Sequence, residues 1–194
     1  MPDGGAGEGP ARPDRGGPAL ERHWAGWRSD YITSAFGGGA DPGSSGRTGE
    51  AGKGSLFERI LHSGRPDDET YIVHRGASAF VILNAYPYNP GHLLVLPNRA
   101  VPDLEDLTPE EAAEAWALVR DAVTAIKGAY APQGVNVGMN LGHAAGAGVP
   151  DHLHVHCLPR WLGDTNFVTT VAEIRVLPEP LGVSWERLRA AWPG

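Results

Sequence analysis

The sequence predicts an α+β fold, in which an antiparallel sheet carries one long helix and one short helix packed on it. Three observations lead to this fold class. Short runs of β-branched and aliphatic residues, separated by corners that contain Gly or Pro, recur at 70–99 and at 134–142, as antiparallel strands do. The stretch at 108–131 has apolar residues at helical spacing, and "DHLHVHCLPRW" at 151–161 alternates histidine with apolar residues. A meander of strands crossed by one long helix buries one face of each layer.

The remaining short elements follow from local signals. "SLFERILHSG" at 55–64 predicts a short helix that its last glycine ends. "TYIVHRGASAFVILNAYP" at 70–87 predicts two strands with a glycine turn between them, and "GHLLVLPNR" at 91–99 predicts a further strand behind a Pro-rich corner. "GVNVGMNLG" at 134–142 predicts the strand that precedes the histidine-rich stretch.

The long helix is predicted from its start signal and from its periodicity. Thr108 is suited to the N-cap and Pro109 to the first helical position, and acidic residues follow in the first turn. The apolar residues that recur at helical spacing are Ala112, Ala115, Trp116, Val119, Val123 and Ile126.

Composition divides the chain into a tail and one domain. Residues 1–22 are rich in Gly, Pro and charge, which predicts a disordered tail. Residues 23–194 form the predicted domain, with a flexible Gly-rich loop at 37–54 and a C-terminal extension at 179–194. No internal repeat is present.

The bulk properties narrow the partners and the compartment. The formal net charge of -7 gives no general attraction to nucleic acid or to an anionic membrane surface. The single cysteine, Cys157, excludes an intramolecular disulfide and disfavours a cysteine-based zinc site. No apolar run suits a membrane span or a signal peptide, so we expect a cytoplasmic protein.

The spacing of three histidines predicts a strand with one chemical face. His152, His154 and His156 alternate with Leu153, Val155 and Cys157 in a chain with eight histidines. Because side chains alternate along a strand, the imidazoles would share one face and the apolar side chains the other. A proline two residues beyond Cys157 should end the strand or leave it at an edge.

Three interpretations of the histidines compete. In the first they are exposed strand residues with no role. In the second they hold a catalytic zinc ion, which needs a third ligand and a supporting carboxylate such as Asp151 or Asp164. In the third, one imidazole is a nucleophile toward phosphorus and the others are hydrogen-bond donors.

The loop before the histidines favours the third interpretation. "GHAAGAG" at 142–148 offers successive backbone N–H groups with little side chain in the way, which is a common means of binding phosphate. Together with the histidine strand and with Arg160 after it, this loop predicts a phosphate site that faces an imidazole.

These motifs resemble the histidine-triad (HIT) family. "HLHVHCL" fits its pattern of histidines and apolar residues, and "FVILNAYPYNPGHLLVLPNR" and "GMNLGHAAGAGVPDH" are similar to two further segments of it. "HWAGWRSDYI" and "PRWLGDTNF" resemble one subgroup, the diadenosine tetraphosphate phosphorylases of actinobacteria. The resemblance covers residues 23–178 and implies a HIT-like fold.

The resemblance implies the catalytic roles. His154, the middle histidine, would attack an α-phosphorus and carry the nucleotidyl group. His152 and His156 would orient it and stabilise charge on the phosphoryl oxygens and the leaving group. His92 would support the cluster.

The resemblance also implies the substrate contacts. Asn84 would lie near the ribose and Asn140 beside the α-phosphate or the ribose. Ala147 and Gly148 stand where relatives often have a polar residue that contacts phosphate, so only backbone N–H groups remain for this contact. Trp161 would stack on the distal part of a long substrate, or else it is a core or interface residue.

One departure from the family pattern bears on metal binding. Many relatives have a Cys-x-x-Cys motif before the first helix that binds structural zinc, and here Ser55 and Glu58 occupy the two positions. We therefore predict no structural zinc. We expect the reaction to require no cofactor, and a divalent metal ion could accompany the polyphosphate substrate.

The nature of the reaction stays open at this stage. A neutral His154 that donates its second N–H to a backbone carbonyl is the best nucleophile, since a carboxylate partner would favour the imidazolium. With water as acceptor the protein would be a hydrolase, with inorganic phosphate a phosphorylase, and with an amine-linked nucleotide as substrate a phosphoramidase. A non-enzymatic sensor of adenine nucleotides is the alternative of another class.

The resemblance implies a homodimer or a higher homo-oligomer. The tryptophan-rich flanks (Trp24, Trp27, Trp185, Trp192) would extend the interface between subunits, unless these tryptophans only pack within one chain.

Overall fold

The structure is a computed structural model that describes residues 54–164 and 179–194. The tail predicted at 1–22 and the loop predicted at 37–54, apart from Gly54, lie outside the described residues.

In the described part of the chain, five strands form one antiparallel sheet in the order β1-β2-β3-β5-β4. The predicted meander is wrong at one point, because β5 lies between β3 and β4 instead of beyond β4. β4 has exposed residues in its centre and suits an edge, whereas alternate residues of β5 are buried and the strand has a neighbour on each side. The strands are β1 Ile72–Arg75, β2 Ala79–Leu83, β3 Leu93–Pro97, β4 Gly134–Met139 and β5 Val155–Arg160.

Local capping explains where two of the helices begin. The helices of the described residues are α1 Leu56–Leu61, α2 Asp67–Thr70, α3 Pro109–Tyr130 and α4 Leu181–Ala190. Ser55 and Thr108 cap α1 and α3, and in each case a glutamate three residues later completes a capping box. The prediction of the Thr108 cap is therefore confirmed. The short helix α2 is a single turn that ends at Tyr71 in the left-handed conformation, and no local signal in the sequence predicts it.

The main core lies between α3 and one face of the sheet. The predicted helix face is partly wrong, because Trp116 is 51% exposed while Leu118 and Ala122 are buried in its place. Many of the apolar residues of this helix are alanines, which are compatible with burial or exposure. The sequence alone therefore allows more than one face of the helix to be the buried one. The buried residues of α3 are Glu111, Ala115, Leu118, Val119, Ala122, Ala125 and Ile126.

The C-terminal helix α4 packs on α3 and on β1. The indole of Trp185 donates a hydrogen bond to the Ile72 carbonyl at 2.8 Å, and Leu188 is completely buried. Trp192 stacks on His74 with ring centroids 5.1 Å apart. Both described tryptophans of the C-terminal flank therefore take part in packing within the chain.

The strand register defines the face of the sheet opposite α3. Gly138, His156, Leu94 and Ile82 pair in one row across β4, β5, β3 and β2. Paired residues project to the same side of a sheet, and the neighbouring row, which includes Leu93 and Cys157, belongs to the core under α3. The row with His156 therefore faces away from α3.

Within residues 54–164 and 179–194, no helix combines the length and the hydropathy that crossing a membrane requires.

Candidate active site

The three histidines come together, although only one of them lies in a strand. β5 begins at Val155, so His152 and His154 belong to the segment before it, and the predicted strand is wrong at its start. The pairing of β5 with both neighbours starts at Val155, and the amide of Leu153 instead donates to the Val101 carbonyl at 2.7 Å. The rings of His154 and His156 still lie 4.9 Å apart, centroid to centroid.

The far end of β5 agrees better with the sequence. Pro159 pairs with Val135 of β4, while the pairing with β3 ends at Cys157. The side chain of Asn89 donates to the Pro159 carbonyl at 2.9 Å. The proline therefore lies where β5 has lost one of its neighbours, and the strand continues to Arg160.

The hydrogen bond of His154 fixes its tautomer. Its Nδ1 lies 2.8 Å from the carbonyl oxygen of His152. Because a carbonyl oxygen only accepts, Nδ1 carries the proton and the neutral ring has its lone pair on Nε2. Burial lowers the pKa of His154 below its ordinary value, although the hydrogen bond to the His152 carbonyl opposes this effect. A neutral imidazole with a lone pair on Nε2 is a nucleophile, and the predicted backbone carbonyl partner is confirmed.

A second chain of hydrogen bonds orients His156. The amide of Tyr88 donates to Nδ1 of the fully buried His92 at 3.1 Å, so the proton of neutral His92 lies on Nε2. This Nε2 lies 3.0 Å from Nδ1 of His156, which therefore accepts. The proton of neutral His156 is then on its Nε2, where it can be donated to a ligand.

Burial and the charge of His154 lower the pKa of His156 to about 4. His156 is therefore a neutral hydrogen-bond donor at pH 7, not a cation. The side chain of Asn84 lies 3.4 Å from Nδ1 of His92, and its carbonyl oxygen accepts from the Tyr86 amide at 3.0 Å. Asn84, His92 and His156 are thus joined in one network of polar contacts.

His152 is completely buried beneath this cluster. Its Nε2 lies 2.9 Å from the Pro97 carbonyl and its Nδ1 lies 2.6 Å from the Ser55 hydroxyl. Burial lowers the pKa of His152, although the Pro97 carbonyl and the charge of Glu58 oppose this effect. The His152 ring has no edge available to a substrate. His152 therefore acts on His154 through its backbone carbonyl, which accepts the Nδ1 proton of His154.

The Gly-rich loop belongs to the connection between β4 and β5, whose adjoining ends, Met139 and Val155, pair with each other. Asn140 follows Met139, the last residue of β4, and Val155 is the residue after His154. The Asn140 amide donates to the Gly146 carbonyl at 3.4 Å and so ties the loop to β4. Gly148 is exposed, and a side chain there would meet nothing within 4 Å.

Ala147 lies in the same loop, which forms a 3-10 turn over His143–Ala145. The Ala147 amide donates weakly to the Gly142 carbonyl, at 3.3 Å. The predicted phosphate contacts of Ala147 and Gly148 stay predictions.

Two predicted site residues lie apart from the histidines. Arg160 is four residues beyond His156, which corresponds to about 13 Å along a strand. Its guanidinium makes two hydrogen bonds to the Asp164 carboxylate, at 2.6 and 2.8 Å, and one to Asn136 at 2.7 Å. Trp161 packs edge-on against Tyr130 with ring centroids 6.3 Å apart. Their contacts with a substrate stay predictions, and the geometry gives both residues a packing role.

Three residues of the site were not predicted as such. Phe57 of α1 contacts the rings of His152 and His154, with centroids 5.5 and 5.8 Å away. The Tyr88 ring lies nearly parallel to that of His156, at 6.1 Å. Ser55 was recognised only as a replacement for a thiolate, because nothing in the sequence links it to His152.

The described residues also bear on metal binding and on cysteine chemistry. Among residues 54–164 and 179–194, no group of three or more His, Cys, Asp or Glu side chains is arranged to hold a metal ion. The absence of structural zinc stays a prediction, which stoichiometric zinc in the purified protein would contradict. Burial raises the pKa of Cys157 to about 12, so this residue is an unreactive thiol in the core.

Comparisons with known proteins agree with this geometry. The family model of the HIT domain matches residues 65–161. The chain is 42% identical over 173 residues to a Mycobacterium tuberculosis protein named AP-4-A phosphorylase, covering 89% of this chain and 85% of that protein. It is 39% identical over 93 residues to the asymmetrical bis(5'-nucleosyl)-tetraphosphatase of Schizosaccharomyces pombe, covering 48% of this chain and 50% of that protein. A zinc-bound histidine triad family protein from Mycobacterium smegmatis aligns in structure with a TM-score of 0.57 and 29% identity, covering 71% of this chain and 91% of that chain.

Proposed function

The chain belongs to the HIT domain family, and on that premise we propose that it phosphorolyses diadenosine tetraphosphate to ATP and ADP through a nucleotidyl adduct of His154. The observation that carries the chemistry is the hydrogen bond from Nδ1 of His154 to the His152 carbonyl, which leaves the lone pair on Nε2. The identity to a relative named AP-4-A phosphorylase, over most of both chains, supports the substrate and the acceptor.

In the first step the lone pair of Nε2 attacks one α-phosphorus. A bond forms between this phosphorus and Nε2, and the bond from the phosphorus to its bridging oxygen breaks. The products are an adenylyl group on His154 and ATP. The Nε2 proton of His156 would stabilise negative charge on the phosphoryl or leaving oxygen, from a ring that is neutral at pH 7.

In the second step an oxygen of inorganic phosphate attacks the same phosphorus. The bond from phosphorus to Nε2 breaks, ADP is released and His154 regains its lone pair. Splitting the transfer into two displacements lets one nucleophile serve a long substrate and a small acceptor in turn. If water took the place of phosphate, the product would be AMP. The similarity to a protein named tetraphosphatase makes this hydrolase the second candidate.

Two asparagines and the Gly-rich loop would hold the substrate. We assign Asn84, whose side chain lies 3.4 Å from Nδ1 of His92, to the ribose, and Asn140, which follows the strand paired with β5, to the α-phosphate or the ribose. The backbone amides of Ala147 and Gly148 are the proposed contacts for the phosphate chain, whose divalent metal ion would arrive with it. The Ala147 amide would exchange its 3.3 Å hydrogen bond to the Gly142 carbonyl for the phosphate. We also propose a homo-oligomer and a cytoplasmic location. The formal charge of -7 supports the absence of a nucleic-acid or membrane partner.

Product analysis with 18O-labelled inorganic phosphate tests the function. We expect ATP and labelled ADP, formed only when phosphate is present. AMP and ATP in equal amounts, whether or not phosphate is added, would refute the phosphorylase and support the hydrolase.

A substitution separates an enzyme from a sensor. We expect His154→Ala to lower turnover at least about a thousandfold while nucleotide still binds, because the nucleophile is lost. His74→Ala is the matched control, since His74 stacks on Trp192 at 5.1 Å and lies on β1. Full turnover by the His154 variant would refute the covalent route.

A further inference from the structure

We infer that Ser55, held by Glu58, is a positioning residue that keeps the nucleophilic tautomer of His154 by fixing His152. This inference rests on the proposed role of His154 and adds two residues that do not touch the substrate. The residues concerned, which we name the Ser55 clamp, are Ser55, Glu58, Pro97, Ala100 and His152.

The hydrogen bonds around His152 have a fixed polarity. The Pro97 carbonyl only accepts, so Nε2 of His152 carries the proton and Nδ1 must accept. The Ser55 hydroxyl, 2.6 Å from Nδ1, is therefore the donor. The same hydroxyl oxygen accepts from the Glu58 amide at 3.2 Å, so its donor and one acceptor site are both used. Only one arrangement of protons satisfies the whole set.

Glu58 holds Ser55 in place. One carboxylate oxygen of Glu58 accepts from the Ser55 amide at 2.7 Å, and the other accepts from the Ala100 amide at 3.0 Å. These backbone hydrogen bonds lower the pKa of Glu58, so it is ionised at neutral pH. Glu58 thus ties the start of α1 to the loop after β3. The next residue of that loop, Val101, accepts the hydrogen bond from Leu153.

His152 links the clamp to the nucleophile. His152 is completely buried, and both of its ring nitrogens are used within the clamp. Its position fixes its own carbonyl, which accepts the Nδ1 proton of His154 at 2.8 Å. Phe57, between Ser55 and Glu58 in the chain, packs against the rings of both histidines. If Ser55 no longer donates, Nδ1 of His152 has no partner in a buried site, and the ring must turn or change its tautomer.

Loss of the Ser55 clamp would change the tautomer of His154. A shift of the His152 carbonyl weakens the hydrogen bond that keeps the His154 proton on Nδ1. The proton then also occupies Nε2, where it blocks the attacking lone pair. Loss of the clamp should therefore reduce the rate of nucleotidyl transfer more than it reduces substrate affinity, because Ser55 and Glu58 lie behind the reacting groups.

Two substitutions and a matched control test this inference in the full-length protein. Ser55→Ala removes the hydroxyl, and Ser55→Thr retains it together with the helix cap. Thr108→Ala removes the equivalent capping box from α3, outside the site, and so measures the general effect of losing a cap. Melting temperature, kcat and KM for diadenosine tetraphosphate, and imidazole 15N chemical shifts are measured for each variant.

We expect Ser55→Ala to lower kcat about tenfold and to change KM less than about twofold, with Ser55→Thr restoring the rate. The 15N shifts of the substrate-free protein should show His154 protonated on Nδ1 in the wild type and a mixture of tautomers in Ser55→Ala. Thr108→Ala should lower the melting temperature and leave kcat and the 15N shifts unchanged.

Wild-type kcat together with wild-type 15N shifts in Ser55→Ala would overturn the inference. An equal loss of kcat in Thr108→Ala would also overturn it, since the effect would then be general loosening. If the wild type does not turn over diadenosine tetraphosphate, the proposed substrate is wrong, and the tautomer of His154 in the Ser55 variants still decides this inference.

Discussion

The substitution Gly138→Val should stabilise the fold and abolish most of the activity. Gly138 pairs with His156 and is exposed, and a side chain at this position would meet nothing within 4 Å. A glycine inside a strand costs about 0.5–1 kcal/mol relative to alanine, and a β-branched residue suits a strand better still. We expect a gain of about 1 kcal/mol in the free energy of unfolding, or about 2–4 °C in melting temperature.

The effect on activity follows from the strand register. Paired residues on one face have Cβ atoms about 4.5–5.5 Å apart, so the valine methyls would occupy the space beside the His156 ring. This ring carries the proton that we assign to the reacting phosphate. A steric conflict of about 3 kcal/mol, comparable to overpacking in a core, lowers kcat/KM about a hundredfold. Gly138→Ala should give a smaller loss.

The assay combines thermal unfolding with initial rates at several concentrations of diadenosine tetraphosphate. Gly134→Val is the control, because Gly134 pairs with Arg160 on the same strand and the same face, about 13 Å from Gly138. It should keep the wild-type rate. If Gly138→Val is as active as the wild type while its melting temperature rises, the substrate does not pass over this part of the sheet. The assignment of the His156 proton to the phosphate would then be refuted.

Three further predictions concern the hydrogen bonds and the backbone around the site. His92→Phe removes the donor to His156 and should lower kcat about tenfold, since one orienting hydrogen bond is worth about 1.5 kcal/mol; unchanged kinetics would rule out this chain of hydrogen bonds. The pKa values of His154 and His156 are lowered, the latter to about 4, so the neutral rings are present at pH 7. The free energy of unfolding should fall as the pH drops from about 6.5 towards 4, because the unfolded chain binds these protons first. The value of kcat should fall only below about pH 6.5, as the rings of the folded protein are protonated; a pH–rate profile whose acidic limb lies above 6.5 would contradict this assignment. Gly91→Ala should destabilise the protein by about 2 kcal/mol or more, because φ is +77° and a Cβ would overlap the Tyr130 ring; an unchanged denaturant midpoint would show that the corner adapts.

The sequence by itself determined the elements whose signals are local. Thr108 and Pro109 marked the start of α3 because a capping box needs only residues within one turn. The alternation of His154 and His156 with Val155 and Cys157 predicted which side chains enter the core, since a period of two is a property of the extended backbone itself. The tautomer of His154 could also be predicted from the sequence, because the carbonyl that accepts its Nδ1 proton belongs to a residue only two positions away.

Only the tertiary structure decided which distant groups meet the histidines. Ser55 lies 97 residues from His152 in the sequence, and His92 lies 64 residues from His156. These contacts depend on the insertion of β5 between β3 and β4, which no pattern within one strand encodes. The tertiary structure also decided the position of Trp116. Its helical spacing predicts a buried side chain, but α3 packs with another face towards the sheet and leaves Trp116 exposed. Local periodicity fixes which side of an element a residue faces, whereas the order and register of the strands fix what it faces, and the chemistry of this site depends on both.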